Sequence, residues 1–166
     1  MNIECSIDLA VTGLGIILYS PHAVQHIPDR TDYLSTSYMT PEQVVPHILT
    51  GSIVGFCTGS PGSYTLKLLR GYPDPKLMDS YRHVIRLGIE VRGGNVCFRD
   101  LYDLMEWSAS CPSEQTVALD DGFYHLTVCT NLPESGIAGD NQRISIWFNN
   151  LNSMPLLRYN GIPMLC

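Results

Sequence analysis

The chain has 166 residues, 45% of them apolar, and a net charge of −6, enough for one domain (1–166) with a sizeable core and against global disorder. Ten basic residues stand against sixteen acidic ones, a balance that repels phosphate and argues against nonspecific binding to nucleic acid or to an anionic membrane. Charged residues make up only 16%, against about 25% in an average protein, so Ser, Thr, Asn, Tyr and backbone groups must supply surface polarity.

The N-terminal segment carries acids at Glu4 and Asp8, no basic stretch and internal glycines, so it does not read as a secretory leader. Its run LGIILY is far below the roughly 20 residues that span a bilayer. A cytoplasmic chain is expected. Cys5, Cys57, Cys97, Cys111, Cys129 and Cys166 are dispersed, with neither Cys-x-x-Cys nor zinc spacing. They read as reduced core thiols, except Cys166, which is expected to be exposed and able to cross-link copies.

Period-two alternation dominates from the start. IDLAV (7–11) and GIILYS (15–20) flank Thr12-Gly13-Leu14 and read as a hairpin. A Pro/His-rich loop follows, and then TPEQVVPHILTG, with Thr40 as N-cap, Pro41 at the first helical position and Gly51 as terminator. Pro46 inside it predicts a short helix or two turns. SIVGFCT, the turn Gly59-Ser60-Pro61-Gly62 and SYTLKLL predict strand, turn and strand. GYPDPKLMD reads as a loop. RHVIRLGIEVRGGNVCF predicts a hairpin about Gly93-Gly94-Asn95. RDLYDLMEW changes period, with Leu101, Leu104 and Met105 at i, i+3, i+4 and Asp100 placed to cap one to three helical turns. QTVALDDGFYHLTVC predicts a hairpin about Asp120-Asp121-Gly122, RISIWF (143–148) a further strand, and the proline-bearing tail a loop ending in an edge strand.

Short strands, turns and one or two brief helices predict a mainly β chain, an antiparallel β-sandwich or an open barrel. One echo stands out: GSYTLKLL at 62–69 and GFYHLTVC at 122–129 share Gly-x-Tyr-x-Leu. The match does not extend outward, so it reads as a turn entering a strand twice, with Tyr64 and Tyr124 in the core.

Chemical motifs are sparse. Neither a phosphate-binding loop, a dinucleotide fingerprint, a zinc-protease helix nor a nucleophile elbow occurs, and TGSPGS joins two strands as a turn. His22, His26 and Asp29 lie close in sequence, but Pro21 and Pro28 confine them to a loop. His125 and Cys129 share a strand face about 13 Å apart, at 3.3 Å per residue, beyond hydrogen-bond reach; His83 and Cys97 pair only on paper. No catalytic residue, metal or cofactor is expected. The densest feature is acidic: Asp100, Asp103 and Glu106, with Asp120 and Asp121. These carboxylates, with Trp107 or Trp147 as an aromatic anchor, form a candidate surface for a cationic partner.

Residues 83–130, through HVIRLGIEVRGGNVCF and then Leu119, Gly122, Tyr124 and Leu126 of TVALDDGFYHLTVCT, resemble the competence-J nuclease-inhibitor family and related small bacterial β-sandwich immunity proteins. The resemblance covers less than a third of the chain. It implies a cytoplasmic bacterial protein that binds and neutralises a toxin, often a nuclease encoded beside it, and it assigns no inhibitory residues. The expected function is therefore that of a noncatalytic immunity protein that occludes a cognate toxin. A sandwich that binds small molecules or carbohydrate is the alternative.

Overall fold

The structure, a computed structural model, describes residues 4–166. Its strands are β1 (Cys5–Val11), β2 (Gly15–Tyr19), β3 (Ile53–Cys57), β4 (Gly62–Arg70), β5 (His83–Val91), β6 (Asn95–Asp100), β7 (Thr116–Ala118), β8 (Gly122–Thr130) and β9 (Gln142–Leu151). They divide into a five-stranded sheet ordered β1-β4-β9-β8-β5 and a four-stranded sheet ordered β3-β2-β6-β7. The pairs are antiparallel except β4 with β9, which run parallel with Leu66 opposite Ile144. Two facing sheets, rather than a closed barrel, realise the mainly β reading.

Alternation decides what lies between them. Ile7, Leu9 and Val11 of β1, Tyr64, Leu66 and Leu68 of β4, and Leu126, Val128, Ile144, Ile146 and Phe148 of β8 and β9 are all buried on one face. They meet residues of the second sheet, with the Phe98 ring edge-on to Phe148 at 6.5 Å. All five residues of β2 are buried, because its outer face is also covered. There Trp107 lies edge-on to Tyr19 at 5.4 Å, and beside β2 the Tyr38 hydroxyl donates to the Ile53 carbonyl of β3. A strand buried on both faces loses its alternation, hence GIILY.

The three expected hairpins are not hairpins, and the strand, turn and strand of residues 52–69 do not pair either. β1 and β2, β3 and β4, β5 and β6, and β7 and β8 each lie in different sheets. Each short turn is an arch over the edge of the core, so consecutive strands face one another through side chains instead of bonding through their backbones. Glycine-bearing turns between alternating runs serve both geometries, which is why the local pattern cannot separate them. The echo marks two of these arches. Gly62 and Gly122 have φ of 148° and 150°. The hydroxyls of Tyr64 and Tyr124 donate at 2.7 Å to the carbonyls of Ser60 and Asp120, four residues upstream. Each tyrosine ties its strand back onto the arch it has just left, as in the tyrosine corner of other sandwiches.

Helices pack outside the sheets: α1 (Tyr33–Ser37), α2 (Pro41–Thr50) and α3 (Pro75–Asp79). α2 opens with a capping box in which Thr40 and Gln43 exchange bonds, and closes at Gly51 with φ 68°. It continues through Pro46, which is exposed, so the carbonyl that this residue cannot bond faces water instead of protein. α1 and α3 lie in stretches read as loops, started by Asp32 and Asp74, whose side chains accept from the Ser35 and Lys76 amides. The tail reaches the edge of β3, where the Cys57 amide donates to Pro163 and the Leu165 amide to Cys57.

Candidate functional site

After β6 the chain runs through 3-10 turns at Leu101–Glu106 and Ser113–Gln115 before entering β7. Arg99 organises this segment from beneath. Its guanidinium lies 4.7 Å from the Trp107 ring centroid, bonds Asp103 at 2.8 Å and the Ser108 carbonyl at 2.6 Å, and is almost wholly buried. Trp107 exchanges backbone bonds with residues 30 and 31, its carbonyl accepting from Arg30 and its amide donating to Thr31.

Between this segment and β1 runs a groove of about 340 Å³ whose lining includes Asp8, Asp100, Asp103 and Glu114. Four carboxylates thus face one recess, with Arg99 behind Asp103 as the compensating cation. Asp8 and Glu114 were not among the expected residues. The outward position of Asp8 follows from its place between Ile7 and Leu9, but its approach to residue 103 depends on the β1–β2 arch.

The other expected residues separate. Asp100 is buried: its Oδ2 accepts from the Thr12 amide at 2.7 Å, the Thr12 hydroxyl at 2.8 Å and the Gly13 amide, and its Oδ1 from the Tyr102 amide. It edges the groove but staples the first arch, with little left to offer a partner. Trp107 is 1% exposed and Trp147 is 6% exposed, which corrects their expected role as aromatic anchors. Trp147 does lie on the outer face of its sheet, but Tyr81 covers it edge-on at 6.2 Å. Glu106 is exposed. Asp120 and Asp121 sit at the opposite end of β7 from Glu114, in a second recess of about 290 Å³ that also contains Arg70 and Asn150. Asp121 is partly committed, accepting from the Gly94 amide at 2.8 Å.

His22, His26 and His125 have separate partners. His22 faces Glu90 at 3.9 Å, His26 lies edge-on to Tyr33, and Asp29 accepts from the Ala109 amide. His125 bonds the Tyr72 hydroxyl at 2.8 Å, while Cys129 is buried.

No family model matches the chain, and no curated protein matches it in sequence. Two solved structures match it in three dimensions. ComJ from Bacillus subtilis, described as the inhibitor of the DNA degrading activity of NucA, aligns with a TM-score of 0.57 over 91% of this chain and 99% of its own, at 12% identity. The chain has a ComJ-like fold. A protein described as crocagin biosynthetic gene J aligns with a TM-score of 0.55 over 89% of this chain and 96% of its own, at 9% identity. The likeness spans nearly the whole chain, including the N-terminal half in which the sequence offered no counterpart. Among the described residues no helix is long and apolar enough to cross a membrane.

Proposed function

We propose that this chain is an inhibitor of the immunity type, which binds a cognate nuclease and occludes its cationic substrate groove without catalysis of its own. The observation that carries the reading is the acidic groove of Asp8, Asp103 and Glu114 on a fold similar to that of a nuclease inhibitor. A nuclease must present positive charge to the phosphates it cleaves. A partner with net charge −6 and clustered carboxylates is steered to that charge and competes with DNA for it. Glu106, on the same segment, extends the surface, and Asp120 and Asp121 form a second contact beyond β7. Cytoplasmic residence follows from guarding the cell's own DNA. The alternative, a sandwich that binds small molecules or carbohydrate, is disfavoured by the burial of both tryptophans.

The test is a DNA-cleavage assay with the product of the neighbouring reading frame, titrated with the purified chain. Cleavage is expected to fall to background near one equivalent. Exchanging the exposed Asp8, Glu106 and Glu114 for Lys is expected to slow association about tenfold or more at low salt and much less at high salt. Undiminished cleavage in excess chain would refute the inhibitor reading. Intact inhibition with unchanged association kinetics would refute only the surface.

A further inference from the structure

Cys97 and Cys111 are brought together by the same segment that builds the acidic groove. Cys97 lies on β6 directly opposite Thr116 of β7, with its sulfur 3.9 Å from the Thr116 hydroxyl. That hydroxyl in turn donates to the carbonyl of Pro112, the residue after Cys111, at 3.1 Å. The Cys111 thiol packs back into this corner, donating to the Gln115 carbonyl at 3.9 Å, so the two sulfurs border the same Gln115–Thr116 step. Cys97 is buried and Cys111 half-exposed, so one sulfur meets solvent and the other waits behind it. We propose that Cys97 and Cys111 form an oxidisable dithiol, a modification site at which a hydroperoxide converts the pair to an intramolecular disulfide.

The environment assigns the order of events. The neighbouring Cys97 thiol pulls the Cys111 thiol down, assisted by Thr116 and the Arg99 charge, against the opposing effect of burial. The same pairing and burial push Cys97 up. Burial raises Cys5 and Cys57 and pushes Cys129 up to about 11, which leaves those thiols less ionised than Cys111. Thiolate is the nucleophile. A lone pair on the Cys111 sulfur attacks the terminal oxygen of the hydroperoxide, the O–O bond breaks, and the leaving alkoxide takes up the proton that Cys111 gave up. The product is a Cys111 sulfenic acid. The Cys97 sulfur then attacks the Cys111 sulfur; the S–O bond breaks, and hydroxide leaves with the Cys97 proton as water. In sum, two thiols and one hydroperoxide give a disulfide, an alcohol and water, with two electrons passing from sulfur to oxygen. The bond joins β6 to a residue outside any helix or strand, so the approach needed to reach bonding distance falls on the loop.

The full chain is treated with stoichiometric hydrogen peroxide at neutral pH, alkylated and digested without reduction, using trypsin and a glutamate-specific protease together. Cleavage after Arg92, Arg99, Glu106 and Glu114 isolates each thiol in its own fragment, 93–99 and 107–114. The expected product is these two fragments joined, separated again by dithiothreitol, in most molecules. Cys111→Ser is expected to abolish the joined species. Cys97→Ser is expected to leave a sulfenic acid on residue 111 that dimedone captures. Recovery of both fragments as free thiols from the peroxide-treated wild-type chain would overturn the proposal, as would their linkage to Cys57, Cys129 or Cys166 instead of to each other. The wild-type digestion decides the matter even if a serine variant folds poorly.

Discussion

The side chain of Asp100 does the work of a turn. Thr12 and Gly13 leave β1 with amides that no strand partner meets, and one carboxylate accepts both, together with the Thr12 hydroxyl and the Tyr102 amide. Substituting Ala strands the buried Gly13 amide and removes the acceptor shared by the part-buried Thr12 and Tyr102 donors, at about 1–3 kcal/mol for an unmet buried group. Asp100→Ala is therefore expected to lower unfolding stability by about 2–3 kcal/mol, the upper part of that range. Asp103→Asn keeps an oxygen acceptor for the buried Arg99 guanidinium, which also bonds the Ser108 carbonyl, and removes a charge whose own side chain is 40% exposed, so the expected loss is about 0–1 kcal/mol. Urea unfolding of both variants checks the contrast, and equal losses would contradict this division of roles. Acidity at both positions was legible in the sequence. So was the capping role of Asp100; its bonds to Thr12 and Gly13 were not, because they depend on an arch 88 residues away in sequence.

Strand existence and inward faces follow from alternation, and the α2 boundaries from Thr40, Pro41 and Gly51; pairing does not. RHVIRLGIEVRGGNVCF has the apolar rhythm and glycine turn of a hairpin, yet β5 bonds to β8 and β6 to β2 and β7. Period two records which side of a strand is dry, and it is silent on which backbone lies alongside. The groove inherits that silence, since β1 and Ser113–Gln115 meet only because the arches fold one sheet over the other. The two Gly-x-Tyr arches allow the element to be tested against itself. Gly62 and Gly122 share nearly the same φ, so alanine at either incurs similar backbone strain, about 1–3 kcal/mol. At Gly122 the added carbon meets only the Asn150 side-chain amide, at 2.9 Å, whereas at Gly62 it runs into the backbone of Gly139. Gly62→Ala is therefore expected to be the more destabilising, by about 1–2 kcal/mol beyond Gly122→Ala, the usual cost of forcing extra volume into a packed site. Thermal unfolding of the two variants compares them, and equal shifts would mean that the Gly62–Gly139 contact can relax freely.

At the scale of the whole molecule, two electrostatic effects oppose each other as pH falls. Protonating histidines on a chain of net charge −6 reduces overall self-repulsion and favours the compact state. Locally the sign is reversed. Burial pushes His22, His47 and His125 below the ordinary histidine value, with Arg92, His26 and Arg86 respectively adding to the effect. His47 is held between the Tyr33 hydroxyl at 3.0 Å and the Ser52 hydroxyl at 2.7 Å, against the Tyr38 ring, so its added charge would meet hydroxyls and an aromatic face. A group that binds its proton more weakly when folded makes the unfolded chain the better proton acceptor, so stability rises with pH. The contribution is complete above about 6.5, the unfolded histidine value, and is lost as pH drops through the lowered folded values. Diffuse repulsion is screened beyond about 8 Å at physiological salt, whereas a buried ring is screened far less, so the local effect should prevail. The melting temperature is expected to fall between pH 7.5 and pH 5 at physiological salt, and His47→Gln, which removes the most enclosed of these rings, is expected to flatten the decline. A melting temperature that rises as pH is lowered would show that self-repulsion outweighs histidine burial in this fold.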